Sequence, residues 1–370
     1  MACLACLLQC LESVLIQAFV SELAVEEEWR SSGLFDSREW LIECCRKMLL
    51  IRHFEETLIG LHQKGHFSGH FHAYIGQEAT GVPALACLDP GDHIFTTHRN
   101  HGHLLARGAD SGRMYAEILG RKDGYNQGKG GTFHIAASTL GFHHTSGIVA
   151  GILPLAAGAA YAAKARKTGQ IAACLFGDGA LEEGAAPETF NIASLWKLPI
   201  LFLCENNGKY GAGRELGAAQ SFSMAVYPLT RLPATYGIPA QQVDGTDVHA
   251  VHLAVSEAVA NIRAGEGPQF IETQTVRWPG SENNWPIVPI PTSVDLAWDV
   301  DAVPEKYRAW YRASDPVLAF IRRLAEEHVA TRDDLAALDA GVVRAIEQGV
   351  RFALASPFPA PEDALKDVYA

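Results

Sequence analysis

Two uninterrupted apolar runs, each ending on a polar side chain, constrain the fold of this chain most strongly. Residues 171–179 read IAACLFGDG and residues 198–207 read LPILFLCENN, with the helical pattern PETFNIASLWK between them. Strands that are apolar on both faces and alternate with helices are typical of a parallel sheet that is covered on both sides. The sequence therefore predicts an α/β fold, a doubly wound parallel sheet with helices on both faces.

The chain divides by pattern into three segments. A strongly apolar stretch at the start contains Glu12 and lacks both a basic leader and a small-residue cleavage site. It therefore favours an amphipathic helix over a signal peptide or a membrane span. We predict a helical N-terminal extension at 1–35, an α/β domain at 36–330 and a helical C-terminal tail at 331–370.

Composition excludes some classes of function. The formal net charge is −12 and no basic run is longer than the Arg-Lys of ARK at 165–167, which argues against a nucleic-acid-binding protein because such proteins need a positive surface. The eight cysteines have spacings that suit neither a disulfide framework nor a two-pair zinc site. We therefore predict a reduced, cytoplasmic protein with no membrane association.

Polar side chains stand where the two apolar strands end. Asp178 ends the first strand and Asn207 ends the second, 29 residues later. A crossover between adjacent parallel strands brings both residues to the carboxyl edge of the sheet, where open α/β sheets bind ligands. Carboxylate and amide oxygens suit Mg²⁺ or Ca²⁺, and Mg²⁺ completes its shell with water and phosphate oxygens. The spacing thus predicts a metal-bridged phosphate or diphosphate at this edge.

The glycines near these residues allow other interpretations. Gly177 and Gly179 alone would indicate a tight turn, although beside a metal ligand they also let the backbone approach a bulky group. A dinucleotide site is a competing interpretation, but the GxGxxG motif is absent. The GKGG segment at 128–131 lacks the GK[ST] ending and the preceding apolar strand of a P-loop.

The segment from GDG at 177–179 to NN at 206–207 resembles the thiamine diphosphate motif. From about residue 36 to residue 360 the chain resembles, more specifically, the alpha subunit of the thiamine diphosphate-dependent 2-oxo acid dehydrogenases, the pyruvate, acetoin and branched-chain group. The segments that carry this resemblance are HFHAYIGQEA (70–79), THRNHGH (97–103), GRKDGYNQGKGGTFHIA (120–136), SGIVAGILPLAAGAA (146–160), FNIASLWKLP (190–199) and QTVRW (274–278).

The resemblance implies how the metal and its ligand are held. Asp178 and Asn207 would bind Mg²⁺, which bridges the cofactor diphosphate. A main-chain carbonyl would be the third protein ligand; it falls on Lys209, and an extra residue in NNGKYGAG leaves Tyr210 as the alternative.

The resemblance also implies further cofactor contacts. Gly179 and Ala180 would approach the diphosphate through their backbone, and Arg99 would pair with it by a charge-assisted hydrogen bond. His98 stands where the family has a tyrosine. Gly147 and Val149 would hold the aminopyrimidine ring through backbone groups.

Histidines are concentrated in the loops before Gly147, where an imidazole can transfer protons near neutral pH. The resemblance places His72 at the substrate end of the cofactor, and we take His101, His143 and His144 as further catalytic candidates. The family also has a histidine close to the reactive carbon. In this sequence Pro279 occupies its position, so the substrate end differs from that of a standard pyruvate enzyme.

The resemblance implies an alpha subunit that decarboxylates a 2-oxo acid and transfers the acyl unit to a lipoyl carrier. It further implies an α2β2 assembly, because the activating carboxylate belongs to the beta subunit, and a lipoyl-bearing acyltransferase as partner. One alternative is transketolase-like cleavage of a ketose phosphate, which the surplus of histidines suggests. A second alternative is an inactive scaffold that kept the fold.

Overall fold

The computed structural model describes residues 37–207, 224–276, 288 and 290–366. The α-helices of this part are, in chain order, α1 (Arg38–Gln63), α2 (Glu78–Ala86), α3 (Asn100–Ala106), α4 (Ser111–Ile118), α5 (Ile152–Arg166), α6 (Ala185–Leu195), α7 (Arg231–Ala234), α8 (Val248–Arg263), α9 (Glu305–Ala313), α10 (Pro316–Glu326) and α11 (Arg332–Ala355). The described part contains no helix with the length and apolar character that crossing a membrane requires.

The described strands form one sheet in which every neighbouring pair is parallel. They are β1 (His93–Thr97), β2 (Phe142–Ser146), β3 (Ala172–Gly177), β4 (Ile200–Asn206), β5 (Ala240–Asp244) and β6 (Gln269–Gln274). Their order across the sheet is β2-β1-β3-β4-β6-β5. Parallel neighbours need a crossover connection, which explains why helices alternate with the strands.

Both faces of the sheet are covered. Cys174 and Phe176 of β3 pack with Phe190 of α6 and Ala156 of α5 in one apolar core. The alternate residues of the same strand, such as Leu175, point to the opposite face and are equally buried, and α8 contacts β4, β5 and β6. The predicted α/β fold with a doubly covered parallel sheet is confirmed.

Side chains that accept backbone N–H groups begin several helices. Asp110 caps α4, Asp247 caps α8 and Asp315 caps α10. Such caps satisfy donors that have no partner within the helix. Asp315 also forms a buried bidentate ion pair with Arg52 of α1, with N–O distances of 2.6 and 2.9 Å.

The chain divides into two compact units, residues 1–44 and residues 45–370, and only residues 37–44 of the first are described. The N-terminal extension predicted at 1–35 therefore lies outside the described residues. In the second unit, α11 packs against α4, and a 3₁₀ turn at Pro361–Leu365 follows it. The limits of the three predicted segments stay a prediction.

Candidate functional site

The ends of β3 and β4 form the centre of the candidate site. These strands are direct neighbours, and Gly177 lies opposite Glu205 in the parallel register. Asp178 therefore follows β3 at the same level at which Asn206 ends β4, with Asn207 one residue further. The structure brings the carboxylate and the amide to one edge of the sheet, as the spacing predicts.

The atoms at this edge fit a metal-bound diphosphate. The amide nitrogen of Asn207 donates to Oε1 of Gln77 at 3.2 Å, so the side-chain oxygen of Asn207 is the atom left to bind a cation. A Cβ built on Gly179 would meet no heavy atom within 4 Å, which leaves room beside Asp178 for a bulky ligand. Carboxylate and amide oxygens are the donors that Mg²⁺ prefers. Lys209 and Tyr210, the alternative carbonyl ligands, lie outside the described residues.

Few protein ligands are available for a metal at this edge. Within the described ranges no three His, Cys, Asp or Glu side chains are grouped so that they could hold a metal ion. Mg²⁺ that is bound by one or two carboxylates usually completes its shell with water and phosphate oxygens. The donor set therefore suits a metal that arrives together with a diphosphate.

A buried network of polar side chains holds the end of β4 in place. The carboxylate of Glu205 accepts hydrogen bonds from the hydroxyl of Tyr74 and, at 3.0 Å, from Nε2 of His103. The other ring nitrogen of His103 contacts Oγ1 of Thr96 at 2.6 Å. Our sequence analysis missed this network, although the glutamate directly before the two asparagines was a visible signal for it.

Arg99, His98 and His72 lie together beside this edge. Arg99 is the N-cap residue of α3, and its Nη1 donates to the carbonyl oxygen of Ala73 at 2.6 Å. The rings of His72 and His98 meet edge to face with centroids 4.6 Å apart, and Phe133 stacks on His72 at 5.7 Å. The three predicted residues thus share one aromatic and cationic surface.

Gly147 and Val149 follow the end of β2 and connect to the same surface. Phe133 lies 3.6 Å from the position that a Cβ on Gly147 would take. Val149 is 48% exposed and the neighbouring Ile148 is 74% exposed. Ala180, in contrast, is buried in the turn after β3.

His101 is held inside the protein. Its side chain is fully buried, with Nδ1 at 3.1 Å from Oε1 of Glu55 and Nε2 at 2.9 Å from Oγ1 of Thr132. Both ring nitrogens therefore have partners within the chain. A role in positioning the neighbouring loop fits this placement better than contact with a substrate.

The other two histidine candidates lie on the edge strand β2. Nε2 of His143 is 2.9 Å from Nδ1 of His93, at the start of β1 and β2, whereas Gly147 follows the opposite end of β2. Burial and the adjacent His93 lower the pKa of His143. His144 is exposed and pairs in register with Phe95. The structure thus does not bring His143 to the surface that contains His72, and this placement differs from the predicted one.

The parallel sheet and the polar residues at its edge suit a thiamine diphosphate-binding α/β protein, and the comparisons with known proteins identify one family. Residues 46–285 match the family described as "Dehydrogenase E1 component". The chain belongs to this family, which confirms the resemblance seen in its motifs. Membership implies thiamine diphosphate as the cofactor.

Characterised relatives match nearly the whole chain. The alpha subunit of acetoin:2,6-dichlorophenolindophenol oxidoreductase from Cupriavidus necator is 38% identical over 92% of this chain and 97% of its own length. The subunit with the same name from Bacillus subtilis is 36% identical over 92% and 96%. The pyruvate dehydrogenase E1 component subunit alpha from Rhizobium meliloti is 35% identical over 90% of each chain.

Proposed function

We propose that this chain is the alpha subunit of a two-subunit, thiamine diphosphate-dependent enzyme that decarboxylates a 2-oxo acid and passes the acyl unit to a lipoyl carrier. The observation that carries this proposal is the placement of Asp178 and Asn207 just after the ends of neighbouring parallel strands in a member of the E1 family. The names of the relatives favour this function over cleavage of a ketose phosphate.

Each group at the edge has a role in this proposal. Asp178 and Asn207 hold Mg²⁺, and Arg99 supplies positive charge to the diphosphate. When bound, thiamine diphosphate would supply a nucleophilic carbon for the 2-oxo group and a ring that accepts the electron pair released by decarboxylation. His72 hydrogen-bonds the polar groups of the substrate, His98 contacts the cofactor beside Arg99, and backbone groups of Gly147 and Val149 orient the aminopyrimidine ring. Phe133 limits the access of water to the histidines.

A partner subunit is part of the proposal, because the activating carboxylate of this family belongs to the beta chain. An apolar surface on the chain supports it. Helices α5 and α6 border an open cavity of about 320 Å³ lined by residues that include Tyr161, Ile192 and Trp196, and Leu195 next to it is 72% exposed. Large exposed apolar surfaces are typical of protein–protein contacts. We propose an α2β2 assembly that delivers its product to a lipoyl-bearing acyltransferase.

The proposed compartment is the cytoplasm. Each of the described cysteines is a free thiol, which supports a reducing environment.

The experiment that tests the function uses the complex of this chain with its proposed beta chain. The complex is incubated with thiamine diphosphate and Mg²⁺, with pyruvate, 2-oxoisovalerate, acetoin or xylulose 5-phosphate as donor and 2,6-dichlorophenolindophenol or lipoamide as acceptor. We expect turnover of a 2-oxo acid. Turnover of xylulose 5-phosphate alone would replace the proposal by the transketolase-like alternative.

Calorimetry on the same complex tests the metal site. Asp178→Ala is expected to abolish Mg²⁺-dependent binding of thiamine diphosphate, because the diphosphate then loses its bridge to the protein. Asp333→Ala, at an exposed position in the first turn of α11, is the matched control and should bind as the wild type does. If neither protein binds the cofactor, the inactive scaffold is the correct interpretation.

A further inference from the structure

The glycine-rich loop before β2 is folded around a buried carboxylate. Glu117 lies in the last turn of α4 and is fully buried. Its Oε2 accepts the backbone N–H groups of Asn126 (2.6 Å) and Gly128 (3.0 Å), and its Oε1 accepts that of Gly130 (2.6 Å). A glycine-rich loop can bind an external anion through its backbone N–H groups. In this loop those groups instead bind the carboxylate of Glu117.

The glycines of this loop are required by the close approach of its backbone. A Cβ on Gly124 would lie 2.4 Å from Oε2 of Glu117, and one on Gly130 would lie 2.5 Å from the carbonyl oxygen of His134. Gly128 adopts a φ of +77°, and a Cβ on it would lie 2.5 Å from the carbonyl carbon of Gly120. Side chains at these positions would push the loop away from the carboxylate.

The loop continues directly into the candidate site. Two residues after Gly130, Oγ1 of Thr132 contacts Nε2 of His101 at 2.9 Å, and its carbonyl oxygen accepts the side-chain amide of Asn100 at 3.1 Å. The next residue is Phe133, whose ring stacks on that of His72 with an interplanar angle of 17° and contacts that of His98.

The far end of the loop is closed by a second polar contact. Oδ1 of Asn126, whose own N–H is held by Glu117, accepts the N–H of Ala136 at 2.8 Å. The segment from Asn126 to Ala136 is thereby tied at both ends, with Phe133 between them. A buried carboxylate that satisfies several donors at once fixes a backbone more strongly than exposed hydrogen bonds do.

We propose that Glu117 is a positioning residue of the site: it fixes the loop so that Phe133 lies against His72 and His98. Its carboxylate does not contact the cofactor or the substrate and acts through the phenylalanine. The inference rests on the proposed function only for the role of His72, because the geometry that it asserts can be measured without catalysis.

The test uses nuclear magnetic resonance on the full chain with ¹³C-labelled histidine rings. Stacking on Phe133 shifts the ring signal of His72 upfield, and His72→Gln identifies that signal. We expect Glu117→Gln to remove this shift, because an amide offers donors where the loop also presents donors. Phe133→Leu should remove it in the same way. A His72 signal that keeps its wild-type position in Glu117→Gln overturns the proposal.

Limited digestion with trypsin provides the second measurement. Lys129 lies exposed between two residues whose N–H groups Glu117 accepts. Cleavage after Lys129 is expected to become about tenfold or more faster in Glu117→Gln, because the loop opens more often. In Phe133→Leu the rate should stay at the wild-type level, since the carboxylate still holds the loop.

A second buried carboxylate gives the matched control. Asp92 is buried at the start of β1 and accepts the N–H groups of Asp89 and Ile171 at 2.8 and 3.0 Å. Asp92→Asn should lower the melting temperature but leave the His72 signal and the cleavage at Lys129 unchanged. If Glu117→Gln does not fold, Gly130→Ala displaces the same N–H and is expected to give the same two results. If the His72 signal and the rate of cleavage after Lys129 both stay at their wild-type values in Gly130→Ala, the inference is rejected, whatever the outcome of the turnover assay.

Discussion

Tyr74 and Glu205 share a buried hydrogen bond although they are 131 residues apart in the chain. Burial and the neighbouring carboxylate raise the pKa of Tyr74 well above its ordinary value, so the phenol stays protonated and donates. Glu205 directly precedes the two asparagines at the end of β4. The bond therefore ties the segment that contains His72 and Ala73 to the strand that presents the proposed metal ligand.

Tyr74→Phe removes this donor and leaves a buried carboxylate oxygen with one fewer partner. We expect the free energy of unfolding to fall by about 1–3 kcal/mol, the cost of an unsatisfied buried polar group. Denaturant titration of the isolated chain measures it. Tyr161→Phe, at an exposed position on α5, should change stability by less than about 0.5 kcal/mol. Equal stability of the two variants would show that His103 alone satisfies Glu205.

Gly102 of α3 lies against the ring of Tyr74 with no space for a side chain. A Cβ on Gly102 would lie 2.0 Å from Cδ1 of Tyr74, a distance that forces the ring or the helix to move. Gly102→Ala is expected to destabilise the protein by about 1–3 kcal/mol through overpacking. Gly158→Ala on α5 meets no atom within 4 Å and should stabilise the helix by up to about 1 kcal/mol. Thermal unfolding of the two variants should therefore shift in opposite directions.

His143 gives the stability a defined dependence on pH. Its pKa is lower in the folded protein than the ordinary value of about 6.5, so the unfolded chain takes up this proton first as the pH falls. The stabilising contribution of neutral His143 to the free energy of unfolding is complete above about pH 7 and is lost as the pH drops below 6.5. We expect His143→Gln to lose less stability than the wild type between pH 7.5 and pH 5.5.

Parallel denaturant titrations at the two pH values measure this difference. His66→Gln, at an exposed position, controls for the loss of one imidazole. The same pH dependence in the wild type and in His143→Gln would contradict the prediction.

His72 is expected to affect catalysis more than stability. If it hydrogen-bonds the substrate as proposed, His72→Gln should lower kcat/KM of the complex with the beta chain by about 100-fold, the lower range for loss of a positioned acid–base group. The free energy of unfolding should change little because the side chain is only partly buried. His249→Gln on α8 is the control. A kcat/KM within about threefold of the wild type, a difference of about 0.7 kcal/mol, would remove His72 from the mechanism.

The sequence was sufficient to predict those site residues whose position follows from the end of a strand. Asp178 and Asn207 could be predicted because the apolar runs before them are continuous and the crossover rule then fixes their edge. Glu117 could not be identified in this way, because its importance comes from contacts with a loop that has no periodicity. A buried carboxylate and an exposed one look alike in a helical pattern.

His143 was misplaced for a related reason. The sequence alone places the histidines before Gly147 in loops, because an edge strand with polar side chains shows no apolar alternation. In the structure the segment FHHTS is β2, and its extended backbone carries His143 away from the end of the strand. The interpretation of His101 depended on its place in a loop at the edge of the sheet, whereas Glu55 and Thr132 hold its ring inside the protein.

The order of the strands has a consequence for synthesis on the ribosome. Strand β5 is made before β6, yet in the described sheet its neighbour is β6, which separates it from β4. A nascent chain that has not reached Gln269 therefore exposes the apolar edge of β4 and leaves β5 without a partner. Such open edges attract other chains, and parallel pairing over long separations is slow. Newly made chains are thus expected to depend on chaperones until residue 274 has emerged.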